Sequence, residues 1–242
     1  VGSDGEEGIK WKASPVLQPS PGVYNDTILE GLDYLMLQLQ RRGMVAVLYL
    51  NNSWEWSGGY GFYLENAGAG KALQPNEVGY SAYVKYAAQF ATNPKAQQLF
   101  FNHLNFILKR TNRYTGKPYT EDPAIMSWQI CNEPRAFDKA ALPQFEAWIA
   151  KAAAMMKSID KRHLVSVGSE GAFGCEADYD SWQRICSDAN IDYCNVHIWP
   201  YNWGWAKKDS LMQNMQRAQE YTKDYLDRHL EICAQINKPL VM

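Results

Sequence analysis

An amide and a carboxylate stand side by side at Asn132 and Glu133, near the end of the run AIMSWQICNEPR that begins at Ala124. A carboxyl group held at the rim of a buried segment can give a proton to a leaving oxygen and later take one from water, the two halves of general acid–base catalysis. A neighbouring amide can donate to and accept from a hydroxyl of the same substrate. Pro134 follows directly and disfavours the helical region for the residue before it, so the run predicts an extended Glu133. The other groups suited to chemistry gather in three short stretches: Asn51, Asn52, Trp54 and Trp56; Gly168-Ser169-Glu170-Gly171; and His197, Trp199, Trp203 and Trp205.

Each cluster closes a segment that reads as a strand. Ile125, Met126, Trp128 and Ile130 form an apolar run too short for a helix, and Pro134 cannot donate to a ladder, so a buried parallel strand ends there. Residues 45–50 are an unbroken apolar run and predict a second buried strand, 164–167 a third, and 191–198 contain a fourth. Pro239-Leu240-Val241-Met242 looks like the opening of another. Between them lie helical patterns: one from Asp26 or Thr27 closed by Gly43, then 80–91, 95–112 with Pro94 opening it, 142–159, one or two turns at 182–186, and 210–236. Residues 1–25 read as a long loop after an upstream strand, and 51–79, 168–178 and 199–209 read as loops.

Strand and helix alternate without a linker or repeat, which argues for a parallel α/β architecture. Catalytic groups in a barrel of parallel strands sit at the carboxyl ends of those strands, where all four clusters fall. Four complete strands with a fragment at each end make the expected fold the middle portion of a (β/α)8 TIM barrel, about strand 2 to the start of strand 7. Residues 1–242 are then one catalytic domain, incomplete at both ends, that exposes apolar edges and folds poorly alone.

Lys and Arg number 24 against 26 Asp and Glu, a net charge of −2, so no nucleic acid partner is expected. No apolar run approaches the roughly 20 residues of a membrane span. The five cysteines lack zinc-type spacing and leave two readings open, buried free thiols or one disulfide among them. No His, Cys and carboxylate set has metal-ligand spacing, and Gly58-Gly59 lacks the phosphate-binding pattern, so neither metal nor cofactor is expected.

Five of the nine tryptophans fall in the two loops 51–79 and 199–209. Aromatic faces beside carboxylates and amides suit a sugar polymer, whose C–H faces pack on rings while its hydroxyls need planar donors and acceptors. Taken in order, Leu50-Asn51-Asn52-Ser53-Trp54 with Gly58-Gly59, Trp128 through Arg135, Val167 through Gly171, and Val196-His197-Ile198-Trp199-Pro200 with Trp203 resemble glycoside hydrolase family 5, within it the β-mannanase branch.

The resemblance implies endo-hydrolysis of β-1,4 bonds in mannan, glucomannan or galactomannan with retention, by a secreted or periplasmic monomer. It implies Glu133 as acid/base, its pKa raised while a neighbouring nucleophile is ionised, and a nucleophilic Glu just after Met242. Asn132 would bind the substrate 2-hydroxyl and His197 would be the active-site histidine. Asn52, Trp54, Arg135, Glu170, Trp199 and Trp203 would bind substrate, Trp54 and Trp203 as sugar platforms backed by Trp56 and Trp205. Trp199 departs from the pattern: many relatives carry there a Tyr whose hydroxyl holds the nucleophile, and an indole donates but cannot accept. Glu170 is the one other strand-end carboxylate within these residues. A cellulase or exo-mannosidase of the same family, and an inactive carbohydrate-binding relative, are the alternative readings.

Overall fold

A computed structural model describes residues 3–242. The loop expected over residues 1–25 begins on Val1 and Gly2, which lie outside the described residues. Helix α1 (Asp26–Arg41) starts one residue from the expected cap, because Asn25 supplies the side-chain oxygen that accepts from the Thr27 N–H. Strand β1 (Ala46–Tyr49) follows. Residues 51–79 hold more helix than their glycines predict: α2 (Gly59–Asn66) carries Tyr60, Phe62, Tyr63 and Leu64 into the core, and α3 (Pro75–Val78) is a short turn. Burial of four large apolar side chains outweighs the poor helix propensity of Gly59 and Gly61.

Helices α4 (Tyr80–Ala87) and α5 (Pro94–Leu108) precede β2 (Ile125–Gln129), and Pro94 opens α5 as expected. Helix α6 (Leu142–Ile159) has the bounds that its periodicity predicts, with Trp148, Ile149, Ala152 and Met156 buried. Strand β3 (Leu164–Ser166), helix α7 (Tyr179–Ser187), strand β4 (Cys194–Asn195), helix α8 (Leu211–Gln235) and strand β5 (Leu240–Val241) complete the chain.

Among the described residues the strands pair in parallel: β1 with β2, β2 with β3, and β4 with β5. The two sheets continue into each other, because the Asp192 N–H donates to the Val165 carbonyl at 2.8 Å and the Gly168 N–H donates to Asn195 Oδ1 at 2.9 Å. The strands therefore run as one arc with their carboxyl ends on the same side.

The expectation that residues 45–50 are buried throughout holds for one face alone. Leu48 and Leu50 are buried with Trp128, Ile130 and Val165, while Val47 and Tyr49 on the opposite face are about 40 % exposed. Helices pack on the first face, and in a period-2 strand the alternate side chains point away from them. Trp128, Trp148 and Trp182 are fully buried, on a strand and on inner helix faces. All five cysteines are free and buried, which settles the sequence alternatives in favour of thiols.

Candidate active site

Three strand ends clasp the backbone of Glu133. Its N–H donates to the Gly168 carbonyl at 2.7 Å, and its carbonyl accepts from the Ser53 hydroxyl. Gly168 is required by the same approach: it has φ +87°, and a Cβ there would lie 2.0 Å from the Cys131 carbonyl oxygen. Glu133 itself has φ +49°, so the extended conformation expected from Pro134 is not adopted. The hydrogen bonds from β3 and the loop after β1 override the local preference, at a strain of about 1–3 kcal/mol that surrounding structure must hold.

The carboxylate is aimed by three donors. Trp54 Nε1–H donates to Oε2 at 2.8 Å, and Trp199 Nε1–H and His197 Nδ1–H donate to Oε1 at 2.6 and 3.0 Å. Burial alone pushes the Glu133 carboxyl upward, but the bonds from His197, Trp199 and Trp54 outweigh it and bring its pKa below the ordinary value. The raised pKa expected for an acid/base is thus not found with the side chains present here. The ionised form is the favoured one.

Arg135 and Glu170 form a bidentate pair, Nε to Oε2 at 2.5 Å and Nη2 to Oε1 at 2.7 Å, with the carboxylate almost wholly buried. The guanidinium lies 5.0 Å from the ring centroid of Trp54. Glu170 therefore faces a cation and stands in the wall of the cleft.

Trp54 differs from the expected sugar platform. It is only 9 % exposed, its ring stacks with Trp56 and Tyr83 and is covered by Arg135, and its N–H is committed to Glu133. Trp56, 42 % exposed, presents the open ring on that side. Across the cleft Trp203 stacks on Phe173 with centroids 4.0 Å apart. Asn52, expected to bind substrate, lies behind the cleft: its Oδ1 accepts from the backbone N–H of Trp54 and from Asn132 Nδ2, both at 3.2 Å. It braces the loop and Asn132.

These groups border a cleft of about 940 Å³ lined by the sequence-predicted site residues except Asn52 and Trp205. Tyr80, Phe173 and Met242 line it too and were not singled out from sequence. Behind the Glu170 loop, Tyr225 O–H donates to the Glu170 carbonyl at 2.6 Å and accepts from the Phe173 N–H at 3.1 Å. His229 Nε2 accepts from the Ala172 N–H at 3.0 Å while its Nδ1–H donates to the Tyr225 carbonyl. The one signal for these two residues is their i, i+4 spacing on α8, which ordinary core packing also produces.

The family model described as GH family 5 beta-mannosidase-like matches residues 1–242. The chain belongs to glycoside hydrolase family 5. A family 5 mannosidase from Rhizomucor miehei, solved as a glutamate-to-alanine mutant in complex with mannosyl-fructose, superposes with a TM-score of 0.87 at 34 % identity, over 100 % of this chain and 57 % of that one. The endo-1,4-beta-D-mannanase of Thermotoga petrophila RKU-1 superposes with a TM-score of 0.72 at 25 % identity, over 94 % of this chain and 64 % of that one. In sequence, mannan endo-1,4-beta-mannosidase 1 of Arabidopsis thaliana is 31 % identical over 93 % of this chain and 54 % of its own length. Mannan endo-1,4-beta-mannosidase 4 of Oryza sativa is 30 % identical over 87 % of this chain and 46 % of its own length. The chain thus spans about half the length of the curated relatives it matches. The five strands of the described residues are an arc of the (β/α)8 barrel of this family, and the Glu133 cleft lies at their carboxyl ends.

Proposed function

We propose that the full-length protein hydrolyses internal β-1,4 bonds of mannan, including glucomannan and galactomannan, by retaining double displacement. The observation that carries the proposal is Glu133, fixed at a strand end by three donors in a cleft that also presents the Trp56 and Trp203 rings. In the first step Glu133 gives its proton to the glycosidic oxygen as a second carboxylate attacks the anomeric carbon; in the second it takes a proton from water, which displaces that carboxylate. The donors around Glu133 favour the ionised form, the one that acts as base. The protonated form needed first is favoured by negative charge nearby, which an ionised nucleophile supplies.

The proposed nucleophile is a Glu following Met242. Strand β5 runs parallel to β4, and Met242 lines the Glu133 cleft, so a residue just beyond it can approach to the separation of about 5–5.5 Å that retention needs. Asn132, on the cleft wall beside Glu133, is assigned to the substrate 2-hydroxyl. Residues 1–242 belong to one catalytic domain that acts as a monomer. A polysaccharide does not cross a membrane unaided, so the protein is assigned to the extracellular or periplasmic side; among the described residues no helix is long and apolar enough to span a bilayer.

A second reading, an exo-acting mannosidase on short substrates, is favoured by the mannosidase from Rhizomucor miehei that holds mannosyl-fructose. Product analysis separates the two. Full-length protein incubated with mannan and with carboxymethylcellulose releases a ladder of manno-oligosaccharides from mannan alone if the proposal holds. Release of mannose only supports the exo reading, and binding without new reducing ends rejects hydrolysis.

A further inference from the structure

A second cavity of about 360 Å³ adjoins the cleft, and the ring of Phe173 lines both. Its other walls are the rings of Trp205, Tyr221 and Tyr225, and Asp224 and Arg228 of α8 line it as exposed charged groups. Arg228 lies over the Tyr179 ring at 3.7 Å, and a guanidinium stacked in this way keeps its N–H donors at the edge of its plane.

Resting on the functional reading above, we propose that this cavity is a distal subsite for one further mannosyl residue of the polysaccharide main chain, reached past Phe173 on the side of the cleft where Arg135 and Glu170 stand. A pyranose presents an apolar face of C–H groups and a rim of hydroxyls. Ring walls with a carboxylate acceptor and a guanidinium donor beside them meet both needs. The volume exceeds that of a single hexose, and Phe173 borders both spaces, so a main-chain residue beyond the cleft reaches the cavity by passing over that ring.

The partition between the two spaces is built in advance. Tyr225 and His229 together hold the backbone of residues 170–173 through three hydrogen bonds. Gly171, at φ +82°, lets the segment approach them, since a Cβ there would lie 2.5 Å from His229 Nε2. The same segment carries the Glu170 carboxylate that grips Arg135 on the cleft side. A preformed wall spares a ligand the entropy of ordering it.

The test compares kcat/KM on mannotriose and mannohexaose for the full-length parent, Tyr221→Ala and Arg228→Ala. Both substitutions are at exposed positions of α8. The parent prefers the hexasaccharide, and each variant loses about three- to tenfold on it while keeping parental kcat/KM on mannotriose. An unchanged length preference in both variants overturns the inference alone, as does an equal loss on both substrates, which marks a structural role. A parent that hydrolyses neither oligosaccharide overturns the functional reading and the inference with it.

Discussion

The indole N–H of Trp199 lies 2.6 Å from Oε1 of Glu133, on the oxygen that also accepts from His197 at 3.0 Å. The residue expected to steady a nucleophile is bonded here to the acid/base candidate. With Trp54 on the other oxygen, the carboxylate is held at both ends by indoles. Rigid donors of this kind fix the direction in which a proton leaves or arrives.

Replacing Trp199 by Phe keeps an aromatic ring, though a smaller one, and removes one donor to the ionised form. The Glu133 pKa then rises, because a bond that favours the carboxylate is lost. In full-length enzyme the high-pH limb of kcat/KM, where the acid loses its proton, moves to higher pH, and turnover at the optimum falls about tenfold. A pH profile on mannan checks this; an unmoved limb contradicts the assignment of Trp199.

Glu170→Gln leaves the largely buried Arg135 guanidinium without its counter-charge. Removing one partner of such a pair costs about 3 kcal/mol, which corresponds to a fall of about 10 °C in Tm for a domain of this size. Thermal denaturation measures the loss, and KM for manno-oligosaccharides rises as the cleft wall loosens. A Tm within a degree or two of the parent would show that the pair is replaceable.

Much of this arrangement is legible in the residues. The apolar runs before Asn51, Asn132, Gly168 and His197 announce strands, and their polar ends announce the cleft face. Helix α6 has its expected bounds because its apolar period is clean over 18 residues. What the chain does not announce is set by distant contacts. The φ of Glu133 depends on Gly168 and Ser53, and the role of Trp54 on where the Glu133 carboxylate ends up. Helix α2 looks like a loop because Gly59 and Gly61 hide the burial of Tyr60, Tyr63 and Leu64. Asn52 and Asn132 look alike as strand-end amides, yet one braces the other.

Gly168→Ala places a methyl group in contact with the Cys131 carbonyl and forces a non-glycine residue to positive φ. The two effects destabilise the fold by about 2 kcal/mol or more and pull the Glu133 backbone from its partner. Denaturant unfolding of full-length protein shows the loss, and activity falls further than stability does. Gly116→Ala, with φ +68° but nothing within 4 Å of the added carbon, serves as the control for backbone strain alone.

Burial pushes the His229 imidazole down to about 4 from its ordinary 6.5, with the Arg228 charge acting in the same direction and the Tyr225 carbonyl opposing. Between those values the unfolded chain binds the proton more readily than the folded one, so stability rises with pH across the window. It is complete above about pH 6.5 and is lost progressively toward pH 4, by up to about 3 kcal/mol. Melting temperatures of parent and His229→Gln at pH 4.5, 5.5 and 7 check this, because the variant keeps an acceptor for Ala172 and has no proton to gain. Its slope is the shallower one; parallel slopes would assign the acid sensitivity elsewhere.

Glu133→Gln in the full-length enzyme tests the account most directly, since it keeps size and hydrogen-bonding reach and removes proton transfer. Turnover on mannan falls by about 100-fold or more while affinity for manno-oligosaccharides is retained. Turnover close to that of the parent would contradict the assignment of Glu133 and the mechanism built on it.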